Sequence, residues 1–144
     1  MEYLIMEYKI SLADQTLMDR NNCALNAVSI ALNKPYYRVY KAFKSVGRRG
    51  GKGSSIRQIT DAITLLKIDS WDSMSINTLA DKVVSLYKPP TYVKISLDKF
   101  AKMYPTGKFI VIKSRHALAL VDGVWYDNAM PNPRAYVKCF YRVE

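Results

Sequence analysis

Apolar positions along the chain follow two different periods, and the change comes near residue 105. After Asn21-Asn22, the stretch CALNAVSIALN carries apolar side chains all round a helical wheel. That pattern predicts a buried helix rather than an amphipathic surface one. Asn22 is a favourable N-cap, so Cys23 falls in the first turn. Asn33-Lys34-Pro35 interrupts the pattern, and Pro35 opens a second helix, PYYRVYKAFKSVG. There Tyr36, Val39, Tyr40 and Phe43 recur at helical spacing, Arg38, Lys41 and Lys44 face outward, and Gly47 ends the run. RRGGKGSS follows as a flexible basic loop. Ser54 or Ser55 caps a third helix, IRQITDAITLLK, and a fourth runs through NTLADKVVSLYK to Pro89-Pro90. TYVKI reads as a short strand and SLDKFAKMY as a short helix ending near Pro105.

Beyond that point the period changes and the apolar segments are short. KFIVIK and HALALV are strands, Asp122-Gly123 is a strong two-residue hairpin signal, VWYD is the partner strand, and AYVKCFYRV closes the sheet. Residues 1 to 20 read as an extended or irregular segment, with MEYLIMEYKI a candidate edge strand. Helices first and an antiparallel sheet second make an α+β pattern, with the helix bearing Cys23 buried against the sheet. No repeat, low-complexity tract or linker divides residues 1–144, and this length suits one domain with one continuous core.

Composition narrows the class. With 49% hydrophobic and 24% charged residues, the chain lies in the globular range, which excludes general disorder. No apolar run approaches the roughly 20 residues of a membrane span, and MEYLIMEYKI lacks the basic-then-apolar order of a signal peptide. The two cysteines, Cys23 and Cys139, and one histidine are too few for a zinc site. These features lead us to expect no metal, no cofactor and a reducing, cytoplasmic compartment.

Charge adds a second theme. Residues 34 to 67 hold nine basic groups against Asp61 alone, within a chain of net charge +10. Such a block invites polyanions by counterion release, and Arg48, Arg49 and Lys52 are its candidate contacts for nucleic acid. The plainer reading is a solvated surface that keeps the protein soluble. Gly50 to Ser55 lacks the spacing of a phosphate-binding P-loop, and no strand precedes it. A basic loop beside a cleft is the better reading. The tyrosines Tyr36, Tyr40 and Tyr126 fit core-edge packing with the hydroxyl in water.

Cys23, His116 and an acidic partner carry the candidate chemistry. A thiol in the first turn of a helix lies near unpaired N–H groups and the positive end of the dipole, and both favour thiolate. The same amides suit an oxyanion. The alternative is a cysteine that packs as a small hydrophobe. His116 is the sole histidine, so any thiol–imidazole pair must use it; otherwise it is an exposed residue at a strand start. If Asp122 and Gly123 are the turn residues, Val121 pairs with Val124. His116, Leu118, Leu120, Trp125, Asp127 and Ala129 then share a face, and Asp127 becomes a diagonal neighbour of His116. A three-residue loop or a bulge would select Asn128 instead.

NNCALNAVSIALNKPYYRVYKAFKSVGRRGGKG, followed by GKFIVIKSRHALALVDGVWYDN, resembles papain-like cysteine peptidase domains, in particular small versions found in phages and bacteria. The resemblance runs from about Asn21 to Asn128 and implies a papain-like fold. It implies Cys23 as nucleophile, His116 as general base and Asp127 as orienting acceptor, with a protein or peptide as substrate and, for a phage protein, the host cytoplasm as compartment. Such enzymes usually carry an oxyanion-hole glutamine shortly before the cysteine. Here Leu17 holds the usual spacing, which leaves Gln15, two residues upstream, and Asn21 and Asn22 as candidate donors. A papain-like fold without catalysis, binding a host protein or nucleic acid, and a different acyl transfer on the same three residues are the competing readings.

Overall fold

The computed structural model describes residues 8–10, 22–127 and 130–143. Five helices are present among them: α1 (Cys23–Leu32), α2 (Tyr36–Ser45), α3 (Ile56–Leu66), α4 (Ile76–Leu86) and α5 (Leu97–Met103), with a 3-10 turn at Trp71–Ser73. Six strands, β1 (Tyr8–Ile10), β2 (Thr91–Tyr92), β3 (Lys108–Lys113), β4 (His116–Val121), β5 (Val124–Asp127) and β6 (Cys139–Arg142), form one sheet in the order β1-β5-β4-β3-β6-β2. The architecture is α+β. Five strands pair antiparallel, whereas β1 joins the free edge of β5 in parallel. The sheet is therefore mixed at one edge, where a purely antiparallel one was expected. The expected closing strand AYVKCFYRV shortens to CFYR, and TYVKI to two residues.

Local chemistry sets the boundaries. Asn33 ends α1 in the left-handed region at φ 51°, and the N–H groups of Asn33 and Lys34 return to Ile30 and Ser29. Gly47, at φ 101°, does the same for α2: its N–H reaches Lys44 O while that of Arg48 reaches Phe43 O, a Schellman closure. Ser55 caps α3 in a reciprocal box with Gln58. Asn22 precedes α1 but its side chain makes no capping bond; its amide donates to Tyr36 Oη at 3.2 Å.

Both faces of the sheet are covered, which is why KFIVIK and HALALV are apolar throughout instead of alternating. On one face, Ile110, Ile112, Ala117, Ala119, Cys139 and Tyr141 pack against α1, α2 and α3. On the other, Phe109, Val111, Leu118, Leu120, Trp125 and Phe140 pack against Leu97 and Phe100 of α5. Two apolar layers thus sandwich the sheet, where one continuous core was expected. α1 buries Ala24, Leu25, Ala27, Val28 and Ala31 and lies directly on β4. This contact brings the first turn of α1 to the start of β4. No helix among the described residues is long and apolar enough to cross a membrane.

Candidate functional site

The β4–β5 hairpin fixes the geometry of the site. Asp122 (φ 47°) and Gly123 (φ 81°) both take the left-handed conformation of a type I′ turn. Val121 therefore faces Val124, Leu120 faces Trp125 and Ala119 faces Tyr126. Continuing that register places Asp127 one diagonal step from His116. Its two carboxylate oxygens each lie 2.8 Å from His116 Nε2. Asp127 is 5% exposed, so the pair is held largely out of water. Asn128, the alternative, lies outside the described residues, as do Gln15 and Asn21.

Nε2 is engaged by the carboxylate, which leaves Nδ1 as the ring nitrogen for sulfur. Cys23 and His116 share a hydrogen bond where the start of α1 meets the start of β4. Burial acts on Cys23 most strongly and pushes its pKa up. The bond to His116, the backbone N–H of Ala117, the imidazolium charge and the N–H of Ala24 together outweigh burial and hold the thiol below its ordinary value. His116 moves the other way. Its bond to Asp127 does most, the bond to Cys23 adds to it, burial opposes both, and the imidazole is pushed up from 6.5 to about 9. Opposite shifts on two touching groups bias the couple toward thiolate and imidazolium.

Around this pair lies a cleft of about 540 Å³. One wall is Gly53, Ser54, Ser55 and Ile56, so the glycine-rich loop and the start of α3 border the thiol. Tyr141 anchors that wall: its hydroxyl lies 2.6 Å from Thr60 Oγ1 and donates to Ile56 O at 3.2 Å. The opposite wall is Ile112, Lys113, Arg115, Ala117 and Lys138. Asn22 is not part of the lining, and its side-chain nitrogen is directed to Tyr36.

The other cysteine has a different setting. Cys139 is fully buried in β6, and burial raises its thiol pKa. Among the described residues no group of three or more His, Cys, Asp or Glu side chains converges as a metal site would require.

The basic block is less open than its sequence implies. Arg48 is 6% exposed, because the closure at Gly47 turns the chain back over the end of α2 and carries this side chain inward. It is therefore not a surface contact for a polyanion. Arg49 and Lys52 are exposed. Lys34 pairs with Asp69, while Arg38 and Lys41 both reach Asp72, so acidic residues beyond the block neutralise part of it.

Three contributors to the site were not foreseen from sequence. The Ala117 N–H at sulfur leaves no sequence signal beyond its place next to His116. Lys113 ends β3 and Lys138 lies just before β6, so the two meet only in the folded sheet, although Lys113 directly precedes the Ser114-Arg115 turn before the histidine. Compared with protein-family models, with curated proteins and with solved structures, the chain matches none.

Proposed function

We propose that this protein is a thiol hydrolase of papain-like design, cleaving a peptide, isopeptide or related amide bond. The observation that carries the reading is the relay Cys23–His116–Asp127, with the thiol opening onto a cleft and the imidazole held by a buried carboxylate. Cys23 thiolate attacks the carbonyl carbon, and the oxygen of the resulting tetrahedral centre takes up the negative charge. First-turn N–H groups of α1, which have no intrahelical partner, are the donors at hand for that oxygen. His116 gives its proton to the leaving nitrogen as the C–N bond breaks, leaving an acyl thioester. Neutral His116 then takes a proton from water, hydroxide adds to the thioester, and the carboxylic acid product departs as the thiolate–imidazolium pair returns. The buried Asp127 keeps the ring oriented and favours its charged form.

A helix-borne cysteine, then a histidine opening a strand, then an acceptor on the next strand is the order that papain-like domains use, and this supports the papain-like form. A basic binding module without catalysis draws support from the basic block and from Leu17 at the usual glutamine spacing, but ion pairs with Asp69 and Asp72 and the burial of Arg48 leave less of the block's charge exposed. The test is alkylation by iodoacetamide across pH, read by mass spectrometry at each thiol. Cys23 should react well below pH 8 and far faster than Cys139. In His116→Ala it should slow markedly near neutral pH. Equal, slow labelling of both thiols in the wild type would overturn the reading.

A further inference from the structure

We propose that the cleft is built for an acidic peptide, one that places a carboxylate beside the bond presented to Cys23. This inference rests on the hydrolase reading and names its substrate class. Lys113, Arg115 and Lys138 line the cleft, and among the described residues no aspartate or glutamate does. None of the three has an ion-pair partner among the described residues, whereas Lys34, Arg38 and Lys41 do.

The three cations come from separate segments that converge on the histidine. Lys113 ends β3 directly opposite His116, Arg115 lies in the turn just before it, and the backbone of Lys138 donates to Ile112 O at 2.8 Å. Across the cleft, α3 directs its N-terminal end inward through Ser55 and Ile56, adding positive potential on the facing wall.

Arg115 carries the argument furthest. It sits at φ 59°, a left-handed position that glycine would occupy without strain. An arginine there costs backbone energy, and its charge lines the cleft. Nucleic acid is the competing polyanion, but among the described residues the walls hold Ile56, Ile59 and Ile112 and no aromatic ring on which a base could stack. Three cations gathered beside a nucleophile suit a short acidic segment better than an extended phosphate chain.

The test compares two alkylating agents at Cys23, iodoacetate, which carries a carboxylate, and iodoacetamide, which is its neutral analogue. Each transfers its methylene carbon to sulfur as iodide leaves, so the rate ratio reports charge in the cleft. Lys113→Gln, Arg115→Gly and Lys138→Gln should each lower the iodoacetate/iodoacetamide ratio about two- to threefold, and the triple variant roughly tenfold, for charges about 8 Å from the reagent in a water-like medium. Added salt should compress the wild-type ratio in the same direction. The side chains are exposed or half-exposed, and Arg115→Gly relieves strain, so folding should survive; circular dichroism verifies it.

A ratio insensitive to all three changes, with Cys23 still fast toward iodoacetamide, overturns this proposal alone. Slow iodoacetamide labelling in the wild type overturns the hydrolase reading and this proposal with it. Protection of Cys23 then separates the ligands. An amidated glutamate peptide offers only side-chain carboxylates, and a glutamine peptide with a free C-terminus only the terminal one. Protection by either supports the proposal and identifies the source of the carboxylate. Protection by a single-stranded oligonucleotide and by neither peptide overturns it in favour of nucleic acid.

Discussion

Replacing Asp127 should move the upper pH limit of thiol reactivity. The imidazole of His116 rises from 6.5 to about 9 in the fold, a preference for the protonated ring of roughly 3 kcal/mol. Its side chain is 23% exposed, so solvent screens little of this, and the bond to Asp127 is the largest cause. An opposite charge at hydrogen-bond range shifts a pKa by about 1 to 3. In Asp127→Ala the ring should therefore titrate near 7, give or take about one unit. At pH 8 the protonated fraction, and with it the reactive ion pair, should fall roughly tenfold. Asp127→Asn keeps an acceptor but not the charge and should fall between the two. Because His116 is the single histidine, its ring resonances titrate without overlap in an NMR spectrum, and the iodoacetamide rate against pH gives the second readout. Wild type should show a plateau that ends near pH 9 as the imidazolium is lost. A folded Asp127→Ala protein, checked by circular dichroism, whose upper limit still lies near 9 would show that the carboxylate does not hold the proton.

The same pair should shape stability. A raised folded pKa means that the imidazolium contributes fully below about pH 6.5 and that its contribution, at most roughly 3 kcal/mol, disappears as pH rises through about 9. Urea midpoints at pH 6, 8 and 10 should show this decline in wild type, and a shallower one in His116→Ala. Gly123→Ala should cost about 1–2 kcal/mol, because φ is 81° and the new Cβ would lie 3.3 Å from Pro105 O. An unchanged denaturation midpoint would refute the type I′ turn. Tyr141→Phe should cost about 1 kcal/mol by removing the hydroxyl that joins Thr60 to Ile56 O, and proteolysis near the loop at 50–55 should quicken as that wall loosens.

What was legible in the sequence was local. The all-round apolar helix after Asn22, the break at Pro35, a serine cap at Ser54 or Ser55 and the Asp122-Gly123 turn each follow from residues within a few positions of one another. The turn also carried information further, since its two-residue length sets the pairing that puts Asp127 beside His116. Features that depend on distant packing were not legible. Nothing near Tyr8 announces that β1 would pair in parallel with β5, and neither Arg48 nor Asn22 reveals locally that its side chain turns inward or toward Tyr36. The cations of the cleft illustrate the same limit, for Lys113 and Lys138 become neighbours only through the β3–β6 pairing.

The sheet order has a consequence for when the thiol of Cys23 gains its partners. Cys23 lies in α1, yet the groups that ionise it belong to β4 and β5, and β5 in turn receives β1, with Ile10 opposite Asp127. During synthesis α1 leaves the ribosome long before His116 and Asp127 exist. Until the hairpin has been made and docked, Cys23 keeps the sluggish thiol of an ordinary cysteine. On the proposed hydrolase reading, truncated or half-folded chains would be inert, and the fraction of this one sulfur that is alkylated quickly would count the finished molecules in a sample.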